Sequence, residues 1–182
     1  APAPAAGGAS GADVPDEPFT ASSAIRALLA LSAKIRLDEV GDSDTTESLT
    51  NGVSSRRNQL LMDMSAELGL NSIDGAGEAD VRTLCATVDK AAKGYKPFGA
   101  VLSEAVKERT RKLFGAAGAK ASRIGERVTG TWQLGSGWAS HVTIEIVLGT
   151  REGASTRDGD LATLPLDAPT NAAGVDALID AA

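Results

Sequence analysis

The chain of 182 residues has a single cysteine, Cys85, and a single histidine, His141. These two are the first candidates for nucleophilic or metal chemistry. His141 lies in the apolar run WASHVTIEIVL (138–148), with no serine, cysteine or carboxylate spaced to complete a catalytic triad, so a structural role is expected. Cys85 falls on the apolar stripe of a predicted helix and reads as a small core residue. One cysteine excludes an internal disulfide, and with one histidine it makes no zinc ligand set. The glycine-rich strings GAAGA and LGSG lack the Lys-Ser/Thr ending of a phosphate loop. Asp42, Asp44 and Glu47 sit in an acidic loop without the sixth-position glycine and closing glutamate of a calcium loop, so a solvated face is expected there and no metal.

A fourth candidate is the segment NGVSSRRNQLLMDMSAELG, residues 51–69. Here Ser54 stands at the head of an amphipathic helix, directly after a polar loop containing Gly52. A helix N-terminus presents unpaired N–H groups and a partial positive charge, which favour a phosphate attached there. A hydroxyl in that place is also open to a modifying enzyme. Serine is equally a preferred N-cap, and the local pattern alone is consistent with that ordinary role.

The elements that must position these residues are helical. Ile25, Leu28, Leu29, Leu31 and Ile35 mark a helix over about 19–37, with Thr20 or Ser22 as cap. Residues 38–53 form a long polar connection, with Leu49 and Val53 expected to hold it to the core. A helix over about 54–69 is stopped by Gly69 and carries Leu61, Met64 and Leu68 on one face, with Leu60 beside them. After a loop, residues 79–93 place Val81, Leu84, Cys85 and Val88 on one side, ending at Gly94. Pro97 opens an amphipathic helix to about 114. Residues 119–132 give a helix through Ile124, Val128 and Trp132, weakened by Gly125 and Gly130. Residues 138–148 fit either a strand, by the alternation of Val142, Ile144 and Ile146, or a buried helix. A final helix over about 171–181 has Thr170 as its cap candidate. The stretch 1–18, APAPAAGGASGADVPDEP, is expected to be a linker spanning on the order of 50 Å when extended. It lacks the basic start and apolar middle of a secretory signal.

Charge and composition narrow the function. There are 24 Asp and Glu against 18 Lys and Arg, a net charge of -6, which argues against a nucleic-acid partner. No stretch approaches the roughly 20 apolar residues of a membrane span. Aromatics are 3% of the chain, so the core is built from Ala, Leu, Val and Ile, which suits closely packed helices.

The Gly-x-Ser at a helix start, the apolar helix and the closing Glu-Leu-Gly resemble the prosthetic-group helix of acyl carrier proteins. With the lead-in VPDEPFTASSAIRALLALSAKIR (14–36), Asn58 four residues after Ser54 and TWQLGSGWASHV (131–142), the chain is similar to the acyl carrier domain of fungal-type and mycobacterial-type type I fatty acid synthases. The resemblance implies an all-α fold: a four-helix carrier lobe over 19–94, then a helical structural lobe over 95–182. It implies 4′-phosphopantetheine on Ser54, an acyl chain sheltered along Leu61, Met64 and Val88, and no catalysis by the domain itself. The implied partners are a phosphopantetheinyl transferase and the condensing, reducing, dehydrating and acyl-transfer domains of one cytoplasmic, homo-oligomeric synthase. Two departures stand out: Val53-Ser54-Ser55 replaces the Asp-Ser-Leu of discrete bacterial carriers, and Arg56 and Arg57 replace acidic residues. A carrier from a polyketide or peptide assembly line, or a non-catalytic helical protein-binding module, is the alternative; the extra helical half speaks against the first.

Overall fold

The computed structural model describes residues 14–182. Among them the structure is helical, and β pairing is limited to two isolated bridges, Thr45 with Asp80 and Ala154 with Asp160. Most of the stretch expected as a linker, residues 1–13, lies outside the described residues.

Helix α1 (Ala21–Ala33) is the centre of the first core. Thr20 caps it, accepting from the Ser23 N–H while the Ser23 hydroxyl accepts from the Thr20 N–H, so two otherwise orphaned donors are satisfied. Ala24, Ile25, Ala27, Leu28, Leu29 and Ala30 are all buried. The alanines let neighbouring helices approach closely from several sides. The connection after α1 is more structured than its polarity predicts: a 3-10 turn, Leu37–Glu39, is followed by the short helix α2 (Thr46–Leu49). Leu49 holds this connection to the core as expected, but Val53 is 43% exposed and does not.

Helix α3 (Ser54–Leu68) ends where Gly69 adopts φ +66°, the left-handed C-terminal conformation glycine takes without strain. Its buried face is Leu60, Met64, Glu67 and Leu68, one position round from the predicted stripe, so Leu61 is only half-buried. Helix α4 (Val81–Ala91) is capped by Asp80 on the Thr83 N–H. It buries Val81, Leu84, Cys85 and Val88 as predicted and stops short of Gly94.

Helix α5 (Ala100–Phe114) begins after Gly99, so Pro97 lies outside it and does not form its first turn. The predicted helix over 119–132 is a short α6 (Ser122–Glu126) that widens into a π-helical turn, Arg127–Thr131. Helix α7 (Ser136–Gly149) resolves the ambiguous segment as helix. It is flanked by both cores, so apolar residues surround it and the helical period is obscured. Helix α8 (Ala172–Ala181) is capped by Asn171, whose side chain accepts from the Gly174 N–H; Thr170 stands one residue too early for this.

Two clusters of buried side chains result. The first unites α1, α3 and α4 with Leu102 and Val106 of α5 and Ile144, Val147 and Leu148 of α7. The second gathers Leu113, Phe114, Ile124, Val128, Ile146, Val175, Leu178 and Ile179. Helices α5 and α7 thus each belong to both. Residues 15–18 are held against α7: Asp16 accepts from the Gly137 N–H at 3.0 Å and the Trp138 indole donates to the Pro15 carbonyl at 2.9 Å.

Candidate functional site at the start of helix α3

Ser54 is the first residue of α3 and is exposed. The turn that delivers it is fixed by short-range bonds. Thr50 is buried and donates its hydroxyl to the Thr46 carbonyl at 2.6 Å. The Gly52 N–H bonds to the Glu47 carbonyl at 2.9 Å, and the Val53 N–H to that of Thr50 at 3.0 Å. Asn51 and Gly52 take φ +53° and +69° in succession, which Asn and Gly tolerate better than other residues.

The residue in the capping position is Val53, which offers no side-chain hydrogen bond. Serine 54 is therefore not the N-cap that the local pattern allowed. The first helical N–H to reach a backbone carbonyl is that of Arg57, bonded to Val53 at 3.0 Å. The N–H groups before it are the orphan donors of a helix start, with the positive end of the macrodipole behind them. Ser55, Arg56 and Asn58 are exposed alongside. This end of α3 suits a phosphodiester on the Ser54 oxygen: hydroxyl accessible, no side chain occupying the donors, and two arginines adding positive charge.

The three positions expected to line an acyl path are separated by depth. Met64 and Val88 are fully buried in the first core, and Leu61 packs against its edge. Leu61 also borders an open groove of about 820 Å³ with Met62, Ala66, Leu70 and Ile73. Helices α3 and α4 both pack on α1 and touch each other little, so the space between them is closed by side chains rather than by a tight helix–helix contact.

The remaining chemical candidates have structural surroundings. The Cys85 thiol is pushed up by burial, which disfavours the thiolate. The His141 ring lies against Phe19, with centroids 5.1 Å apart, and its Nε2 is 3.3 Å from the Pro18 carbonyl. In the acidic loop, Asp42 is paired with Arg26 and with Arg82. Asp44 is tied at 2.5 Å to Arg157, whose hydrogen bonds hold its carboxyl below the usual range. Asp44 is thus part of a partly buried ion pair rather than of a solvated face. The LGSG string does stand at a helix N-terminus, that of α7, but Asp16 already occupies the donors there.

Sequence reasoning missed Glu67. Its side chain is 2% exposed and accepts from the Tyr95 hydroxyl at 2.5 Å and from the N–H groups of Gly99 (2.5 Å), Val101 (3.0 Å) and Leu102 (2.6 Å). It caps α5 from α3, and thereby fixes the Ser54-bearing helix to the element shared with the second core. The Glu-Leu-Gly that closes α3 was the available signal, but its partners lie 28 to 35 residues away. Burial, followed by the Glu67 hydrogen bond, raises the Tyr95 phenol, so it remains a donor.

Comparison with curated proteins found no match to the chain. Residues 15–157 match the family model described as fatty acid synthase subunit alpha acyl carrier domain. The match covers α1 to α7, including Ser54 and Glu67. The chain belongs to the family of fatty acid synthase alpha-subunit acyl carrier domains.

Proposed function

We propose that Ser54 receives 4′-phosphopantetheine through a phosphodiester and that the domain carries the growing acyl chain between the catalytic domains of its synthase. The observation that carries this reading is an exposed serine at the first position of α3, on a helix start that no side chain caps among the described residues. When attached, the group supplies a thiol on which acyl units are held as thioesters. The protein's part is to present and shelter. The orphan N–H groups of α3 and the cations of Arg56 and Arg57 stabilise the phosphate charge and orient the attachment point. Leu61 and the groove beside it offer apolar surface near α3, and parting of α3 from α4 would open the way to Met64 and Val88.

The test is intact mass after co-expression with a phosphopantetheinyl transferase. A gain equal to the arm is expected, lost in Ser54→Ala and retained in Ser55→Ala; retention in Ser54→Ala would refute the assignment. For sheltering, amide and methyl NMR shifts at Leu61, Met64 and Val88 should differ between holo and acyl forms. Unchanged shifts at all three would place the acyl chain elsewhere.

A further inference from the structure

The chain is acidic overall, yet its charge is unevenly placed. Residues 90–123 hold nine of the 18 Lys and Arg and two of the 24 Asp and Glu. Within this stretch, α5 and the turn before α6 enclose an open groove of about 560 Å³, with Phe98, Val106, Ala119 and Ala121 along its apolar surface. Lys107, Arg111 and Lys120 border it, are exposed, and among the described residues none is within salt-bridge distance of a carboxylate. The two acids of α5 lie on the neighbouring face: Glu108 is paired with Lys112 at 3.0 Å and reaches Arg111 only through longer-range attraction, and Glu104 is not part of the groove lining.

The geometry points to this groove as a docking surface for an acidic, apolar-toothed segment of a partner protein, at a place separate from the start of α3. Lys107 and Arg111 are one helical turn apart on α5, and Lys120 comes from another part of the chain. A single carboxylate or phosphate headgroup can meet only one or two of these cations. A row of Asp or Glu side chains on a peptide segment meets all three, while apolar residues between them fill the Phe98–Ala119 floor. The net charge of -6 makes a local basic surface selective, since the remainder of the molecule repels the same partner.

Binding of the 182-residue chain to a fatty acid synthase alpha subunit lacking its carrier domain, measured by biolayer interferometry at 50 and 200 mM salt, tests this. Joint Lys107→Glu, Arg111→Glu and Lys120→Glu should weaken binding at least tenfold at low salt and flatten the salt dependence. Ser103→Trp, which fills the groove without changing charge, should also weaken it, and Lys34→Gln, an exposed position outside the groove lining, should leave it unchanged. The chain is used without an attached arm, so failure of the Ser54 assignment leaves this test intact. Unaltered affinity and salt slope in both groove variants would overturn the proposal. So would a titration in which sodium dodecanoate alone, and not the synthase, shifts the Thr110 and Ala119 resonances.

Discussion

Replacing Glu67 by alanine tests how the Ser54-bearing helix is held to the rest of the domain. The substitution leaves the N–H groups of Gly99, Val101 and Leu102 and the Tyr95 hydroxyl without their acceptor. Each buried donor so stranded costs about 1–3 kcal/mol. Leu102 is fully buried and bears the full penalty, whereas Gly99 and Tyr95 are half-buried and regain part of it from water. Loss of the α5 cap as a unit is therefore worth about 3–4 kcal/mol, against a total stability of about 5–15 kcal/mol for a domain of this kind. Urea unfolding followed by circular dichroism at 222 nm measures it. Glu67→Gln, which presents one carbonyl oxygen but turns an amide toward backbone donors, should fall between wild type and alanine. A loss under about 1 kcal/mol for Glu67→Ala would refute the claim that this carboxylate locks α5 in place.

Gly99→Ala should be as damaging as Glu67→Ala, because a Cβ there would lie 1.9 Å from the Glu67 carbonyl oxygen; near-normal expression and melting temperature would contradict the close approach. Arg151 donates to the carbonyls of Leu148, Ala30 and Ile35, so Arg151→Met should loosen the C-terminal ends of α1 and α7 together, seen as faster amide exchange at residues 30–35 and 148–150. Asp44, Asp176 and Asp180 are held below the usual carboxyl range chiefly by hydrogen bonds from Arg157, Arg123 and Arg127. Since their folded values lie under the unfolded one, their stabilisation is complete above about pH 5 and is lost as pH falls through the depressed values. Asp176→Asn with Asp180→Asn should flatten the acid side of the stability profile measured by urea titration between pH 7 and 3.

The first half of the chain was legible wherever one side of a helix faces the core and the other faces water. The stripes of α1 and α4 and the Gly69 stop of α3 come directly from spacing, and the placement of Ser54 at the head of α3 from the turn signal at Gly52. What escaped detection was set by distant contacts. Helix α7 contributes to both clusters of buried side chains, so its apolar residues are spread round the helix and give no period by which to tell helix from strand. The start of α5 is fixed by Glu67 rather than by Pro97, and no local signal reports a cap contributed from another helix. Val53 was expected to be buried because it is apolar, yet the left-handed turn at Asn51 and Gly52 carries it outward together with Ser54. The bidentate pairs Arg123–Asp176 and Arg127–Asp180, which tie α6 and the π-helical turn to α8, join residues 53 positions apart.

The attachment of residues 15–18 to α7 has a mechanical consequence. Tension applied from the N-terminal side of Pro15 enters the molecule through Asp16, Trp138 and the head of α7, bypassing α3. Force is thus taken up first at the head of α7, and α3, which begins at the proposed attachment serine Ser54, is reached only through the side-chain core that the two helices share.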